Sequence, residues 1–249
     1  MKIAFFTGYR NIAYFKTFFK RFADVQTTYF YEANTTNISK DECSLKIEKN
    51  EGYEFLCKQN YDFVIVYGWN YIFPHPIIDK IEFYNIHPSL LPKYRGPLPL
   101  VFQLLNNEIV GGVTLHKIDE NIDSGDVYKQ CEYDIDKNAS HISLNVKIMR
   151  CINFILNNFI KDYTNHQVTF TKQNDDESTY FTYDDLDKYI LNNDCTYNDF
   201  CRIVKAFNGI PVKIEIAQNI KILKAYSPEK VANDYMEYKL LDKNIFIKY

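Results

Sequence analysis

Lys2 to Thr7 is a short, mostly apolar run that stops at Gly8, the pattern of a buried strand closed by a turn. Ile12, Phe15, Phe19 and Phe22 then recur at steps of three and four, the stripe of an amphipathic helix. Val25 to Tyr31 reads as a second strand. A polar stretch from Asn34 to Asn50 gives way to a short helix at Tyr53 to Leu56. Phe63 to Tyr67, ending at Gly68, is the clearest buried strand in the chain, and after helical turns at Ile77 to Ile81 another strand follows at Phe83 to Ile86. Strand alternating with helix is the grammar of a parallel sheet. The predicted fold class is therefore α/β: a Rossmann-like, mostly parallel sheet with helices on both faces.

Beyond the Gly96-Pro97 breaker, Leu98 to Asn106 reads as helix, and Gly112 to Ile118 and Val127 to Tyr133 as strands. A long helix starts at Ser140, a suitable N-cap, and lines Leu144, Ile148, Ile152, Ile155 and Phe159 along one face. The polar, acidic break from Gln173 to Ser178 marks the boundary between a larger domain, residues 1–177, and a small C-terminal α+β domain, residues 178–249. That second part holds a helix at Tyr197 to Phe207, a turn at Asn208 to Pro211, and an alternating stretch from Val212 to Leu223 that predicts a β-hairpin.

Composition narrows the function classes. At 249 residues with 46% hydrophobic content, the chain can bury a sizeable core, and wholesale disorder is excluded. A net charge of −3 without long single-sign blocks offers no footprint for nucleic acid. The 21 Tyr and 19 Phe reflect general codon usage rather than an aromatic binding code. The six cysteines, Cys43 among them, form no Cys-x-x-Cys pair and no zinc spacing with His, so free thiols in a reducing cytosol and no metal are expected. No secretory leader and no membrane span are expected either, which makes Asn34-Thr35-Thr36, Asn37-Ile38-Ser39 and Asn138-Ala139-Ser140 chance glycosylation matches in a cytoplasmic protein.

Chemistry concentrates in Asn85-Ile86-His87-Pro88-Ser89-Leu90-Leu91-Pro92-Lys93-Tyr94-Arg95-Gly96. Residues two apart on a strand point to the same side, so Asn85 and His87 share a direction, and Pro88 keeps His87 extended. An amide and an imidazole then sit together at the carboxyl edge of a strand, where open α/β sheets place their ligands. This segment resembles the signature of the folate-dependent formyltransferases. The resemblance continues through Gly112-Val113-Thr114-Leu115-His116 and Asp119-Glu120-Asn121-Ile122-Asp123-Ser124-Gly125-Asp126.

The resemblance implies a catalytic trio of Asn85, His87 and Asp123, and N10-formyltetrahydrofolate as co-substrate, its formyl group passing to a primary amine. In such a step Asn85 and a protonated His87 can donate hydrogen bonds to the developing oxyanion. Asp123 would hold His87 protonated or accept its proton, and either His87 or Asp123 serves as the formal base. By the same resemblance the pterin sits against Asn70, Tyr71, Ile72 and Phe73, with Ile118, Glu120, Asn121 and Ile122 closing over it. His116 matches a secondary position that orients the Asp123 loop, and Arg95 braces the segment that carries it.

The acceptor implied is a nucleotide-linked amino-dideoxy sugar, with dTDP-4-amino-4,6-dideoxyglucose as the best match and surface polysaccharide (O-antigen) as the destination. Gly8-Tyr9-Arg10 resembles the first loop of the sugar-nucleotide N-formyltransferases, and Arg10 and Lys93 are the candidate pyrophosphate contacts. No nucleic acid or membrane partner is expected, and related enzymes suggest a homodimer in which the hairpin completes a sheet. The alternatives are a formyltransferase acting on another amine, such as glycinamide ribonucleotide, and a non-catalytic Rossmann-type nucleotide-binding module. The absence of Gly-x-Gly-x-x-Gly after the first strand counts against the latter.

Overall fold

Adjacent phenylalanines on the first strand show how the core is divided. Successive side chains of a strand face opposite sides of its sheet. On β1 (Lys2–Thr7), Phe5 packs against Phe15 and Phe19 of α1 (Ile12–Phe19), with ring centroids 4.3 and 5.6 Å apart. Phe6 packs on the other side against Phe30 and Phe73, at 4.6 and 5.1 Å. Full burial of each such ring contributes roughly 1.5–3 kcal/mol. The structure is a computed structural model that describes residues 1–32, 44–47, 54–207, 211–229, 232 and 234–249.

The remaining strands of this sheet are β2 (Gln26–Glu32), β3 (Ser44–Ile47), β4 (Phe63–Tyr67), β5 (Phe83–His87), β6 (Val110–Lys117) and β7 (Val127–Asp134). Their order is β3-β2-β1-β4-β5-β6-β7. The pairs from β3 to β5 are parallel, and β6 runs antiparallel to β5. Leu56 of α2 (Glu54–Lys58) and Ile77 of α3 (His75–Ile78) join the Phe6 cluster on one face. After α4 (Pro99–Leu105) comes the long helix α5 (His141–Thr164), whose Phe159 meets Phe63 and Tyr84 on the Phe5 face at 5.4 and 4.7 Å. Helices thus cover both faces, as the sequence predicts.

The chain forms two compact units. One comprises Met1–Arg95, Gly112–Glu132 and Ile148–Ser178; the other comprises Gly96–Gly111, Tyr133–Lys147 and Thr179–Tyr249. In the second, α6 (Tyr197–Phe207) lies by α4: the Arg202 guanidinium donates to the Leu105 carbonyl, and Phe102 stacks on Phe181 at 4.4 Å. The expected hairpin is present as β8 (Val212–Ile216) and β9 (Asn219–Leu223).

Other readings need correction. Within the stretch read as polar, Ser44 to Ile47 pairs with β2 as an edge strand, too short a run to stand out by periodicity. A further sheet of β10 (Ala225–Ser227), β11 (Met236–Lys239) and β12 (Asn244–Lys248), in the order β10-β12-β11, was not anticipated. Ile245 and Ile247, fully buried on β12, provide its core. Cys43, the glycosylation matches at Asn34 and Asn37, and the turn at Asn208 to Ile210 lie outside the described residues.

Candidate active site

β5 ends in the site. Asn85 pairs with Val66 of β4, which puts it and His87 on the Phe6 face of the sheet. The antiparallel register with β6 then sets His116 directly across from Asn85 and Thr114 across from His87. Two imidazoles and an amide are gathered by strand pairing alone. His87 and His116 are both buried.

Asp123 arrives from the loop after β6 and closes the group. Its Oδ1 accepts a hydrogen bond from Asn85 Nδ2 at 3.1 Å and lies 3.5 Å from His116 Nε2. Its Oδ2 lies 3.5 Å from His87 Nδ1. Asp123 sits in the left-handed region at φ 54°, a conformation that Asp tolerates better than most residues. The turn must also pass close to β6, because a Cβ on Gly125 would stand 2.1 Å from the Lys117 carbonyl oxygen. Glycine is required there for space.

The ring tautomers follow from their partners. His87 Nε2 is 2.8 Å from the Tyr94 carbonyl oxygen, which only accepts, so Nε2 carries a proton and Nδ1 is the nitrogen left to titrate opposite Asp123. The same logic puts a proton on His116 Nδ1, 2.7 Å from the Lys117 carbonyl oxygen. Burial pulls the His87 pKa below the ordinary histidine value and outweighs the opposing pull of the Asp123 carboxylate. His87 is therefore neutral at neutral pH in the resting protein. Of the two roles the resemblance implies for Asp123, holding His87 protonated or accepting its proton, desolvation of the ring opposes the first.

The other sequence-predicted positions spread along loops. Asn70 is exposed and Tyr71 half-buried after β4. Ile72 is 80% exposed, whereas Phe73 is 5% exposed, its ring spent on the core against Phe6 and Phe83. Phe73 thus offers only backbone to a ligand. Ile118 packs against the same core and donates its N–H to the Phe83 carbonyl at 2.8 Å. Glu120 and Asn121 are exposed, and so is Ile122, at 47%. Arg10 is exposed on the turn after β1, and Lys93 on the loop after β5. Arg95 donates from Nη2 to Asp175 at 2.8 Å and to Gln173 Oε1 at 2.9 Å.

Two residues supporting the loop escaped the sequence reading. Asp119 Oδ1 accepts from the Asn121 N–H at 3.1 Å and from Ser124 Oγ at 2.7 Å, an Asx-type turn recognisable from an Asp two residues before Asn121. Gln173 donates to the Asp123 and Gly125 carbonyls at 2.9 and 2.8 Å. No local pattern signals that contact, since Gln173 is remote in sequence. Among the described residues no group of His, Cys, Asp and Glu could hold a metal ion, and no helix is long and apolar enough to cross a membrane.

A model of the family described as formyl transferase matches residues 32–153. The methionyl-tRNA formyltransferase of Fervidobacterium nodosum is 35% identical over 130 residues, covering 52% of this chain and 41% of that protein. The chain spans about two fifths of the length of the first such relatives. Among solved structures, a 4-N formyltransferase from Francisella tularensis superposes with a TM-score of 0.74 at 24% identity, over 89% of this chain and 95% of the other. An N-formyltransferase from Helicobacter canadensis, solved in complex with folinic acid and dTDP-3-aminofucose, superposes with a TM-score of 0.68 at 18% identity, over 99% and 98%. At these identities the superpositions show the shared fold. The matched family model, that fold and the signature running from Asn85 to Gly96 together liken residues 32–153 of this chain to the formyl transferases.

Proposed function

We propose that the protein transfers the formyl group of N10-formyltetrahydrofolate to the primary amine of a nucleotide-linked amino-dideoxy sugar. The observation that carries the reaction is the convergence of Asn85, His87 and His116 on the two oxygens of Asp123, at 3.1–3.5 Å in a largely buried setting. An amide donor beside a buried, neutral imidazole and a carboxylate is the equipment for moving a proton while charge builds on a carbonyl oxygen.

The folate co-substrate supplies the activated formyl carbon. The amine nitrogen bonds to that carbon, the bond from carbon to the folate nitrogen breaks, and the proton lost by the amine ends on that nitrogen. Asn85 Nδ2, released from Asp123, is the donor for the formyl oxygen. His87 Nδ1 and Asp123 act as a unit: the ring takes up the proton and the carboxylate stabilises the imidazolium at 3.5 Å. With Nε2 tied to Tyr94, the ring presents one working nitrogen.

Exposed apolar side chains at Ile72 and Ile122, on the loops after β4 and β6, suit one wall of a slot for a flat pterin ring whose edge pairs with backbone. Asn70, Tyr71 and Phe73 would contribute through their loop, and Ile118, Glu120 and Asn121 through the other. Arg10 and Lys93 supply positive charge for a pyrophosphate. The residues beyond Ser178, with the hairpin, are assigned to acceptor contacts or to a homodimer. The Helicobacter canadensis likeness supports a sugar-nucleotide acceptor. The sequence relatives support transfer to methionyl-tRNA instead, and the net charge of −3 weighs against that polyanion.

The test is a mass-shift assay with N10-formyltetrahydrofolate and a panel of acceptors: dTDP-linked 3- and 4-amino-dideoxy sugars, glycinamide ribonucleotide and methionyl-tRNA. A gain of one carbonyl unit on an amino-sugar nucleotide is expected. Formylation of the transfer RNA or of glycinamide ribonucleotide alone would reject the sugar, and no transfer to any acceptor would reject the reaction.

A further inference from the structure

The loop that carries Asp123 is held from a part of the chain that lies after α5. Thr171 exchanges two backbone hydrogen bonds of 2.8 Å with Val127 and so lays its segment beside the start of β7. Two residues on, Gln173 is 8% exposed and points its amide at the Asp123 loop. Its Nε2 donates to both the Asp123 and the Gly125 carbonyl oxygens, at 2.9 and 2.8 Å. Its Oε1 accepts from Arg95 Nε and Nη2, at 3.2 and 2.9 Å.

The amide orientation is set by chemistry. A guanidinium only donates and a backbone carbonyl only accepts, so the oxygen must face Arg95 and the nitrogen must face the loop. The site needs an acceptor and two donor hydrogens on one short tip. Glu, Lys and Met cannot meet that demand, and Asn is one methylene too short. Gln173 also spans the turn where Asp123 adopts φ 54° and where Gly125 approaches β6 too closely for a side chain.

We propose that Gln173, oriented by Arg95, is a positioning residue that fixes the Asp123 carboxylate against His87 and Asn85. The inference rests on the formyl-transfer reading only for its effect on turnover. The clamp on the loop is a separate claim with its own measurement. Misplacing a reacting group by about 1 Å costs on the order of 10²-fold in rate.

Gln173→Ala removes the clamp. Gln173→Glu keeps the shape and strengthens the pairing with Arg95, but as a carboxylate it has no hydrogen to offer the two carbonyls. Both variants are expected to lower kcat by about 10²-fold while KM for each substrate stays within about threefold. With Asp123 displaced, His87 loses the charge that favours its protonated form, so the acidic limb of the pH profile moves to lower pH. A residue that served stability alone would reduce the amount of folded enzyme without moving that limb. Hydrogen exchange followed by mass spectrometry supplies the second readout: amides from Asp119 to Asp126 exchange faster in both variants than in the parent protein. Unchanged exchange in that peptide overturns the clamp, whether or not the parent protein turns over. Faster exchange with kcat within threefold and an unmoved limb overturns its role in positioning Asp123. If the parent formylates no acceptor while the exchange rises, the formyl-transfer reading fails and the clamp on the loop stands. Should the alanine variant not fold, the isosteric glutamate variant carries the same comparison.

Discussion

Replacing Asp123 by Asn removes the charge that faces His87 and preserves the shape of the side chain. The carboxylate oxygen lies 3.5 Å from His87 Nδ1, with the two side chains 11% and 5% exposed. At that separation, with an effective dielectric near 20, the attraction between a carboxylate and an imidazolium is worth about 5 kcal/mol. Water admitted beside the new amide recovers part of it, so about 3–5 kcal/mol is the expected loss of stabilisation for the protonated ring. At one decade per 1.4 kcal/mol this is a fall of about 10²- to 10⁴-fold in kcat. KM should change little, since the charge matters only while the ring holds the proton. The assay is steady-state formyl transfer, with folding checked by thermal melting. Asp123→Asn with kcat within tenfold of the parent and an intact melt would refute the claim that this carboxylate stabilises His87 during proton transfer.

Asn85→Ala removes the amide assigned to the formyl oxygen and should lower kcat by about 10²–10³-fold, measured in the same assay; retention of the parent rate would reassign the oxyanion donor. His87, with its folded pKa depressed by burial, binds a proton less readily folded than unfolded. Its contribution to stability is therefore present above the unfolded value near 6.5 and lost as pH falls through the folded value. His87→Gln should flatten that acid-side decline in chemical-denaturation midpoints; an identical slope in the variant would argue against a buried neutral ring. Arg10→Ala should raise KM for a pyrophosphate-bearing acceptor by about tenfold and leave the folate KM alone, consistent with a charge-assisted contact. Unchanged acceptor affinity would remove Arg10 from the site. Ile72→Asp and Ile122→Asp should each weaken folate binding in a calorimetric titration, and binding as tight as the parent's would dismiss the apolar wall.

Reading the chain by period worked where a strand is buried on both faces. Phe63 to Tyr67 and Lys2 to Thr7 are found as read, because a continuous apolar run bounded by glycine has few other uses. It failed at Ser44 to Ile47 and at the strands from Ala225 to Lys248, where short edge or half-exposed strands carry too few residues for a period to emerge. The protonation of His87 is not legible in the sequence for another reason: a neighbouring carboxylate can be guessed from a motif, but desolvation depends on how completely the surrounding chain encloses the ring. Phe73, read as part of a ligand slot, turned out to belong to the core for the same lack of knowledge about which side of the loop faces inward.

What the amino acids determined unaided is the local chemistry: an amide and an imidazole two residues apart on a strand, pinned by Pro88, and an Asp in a glycine-containing loop further on. Tertiary structure decided how those groups behave. The antiparallel register of β5 and β6 brings His116 to Asn85, the Tyr94 carbonyl selects the working nitrogen of His87, and Gln173 reaches the backbone of Asp123 from beyond α5. Covalent spacing fixes directions over a few residues. Distances, enclosure and tautomers arise only when segments remote in the chain meet, because hydrogen bonding and desolvation act through space.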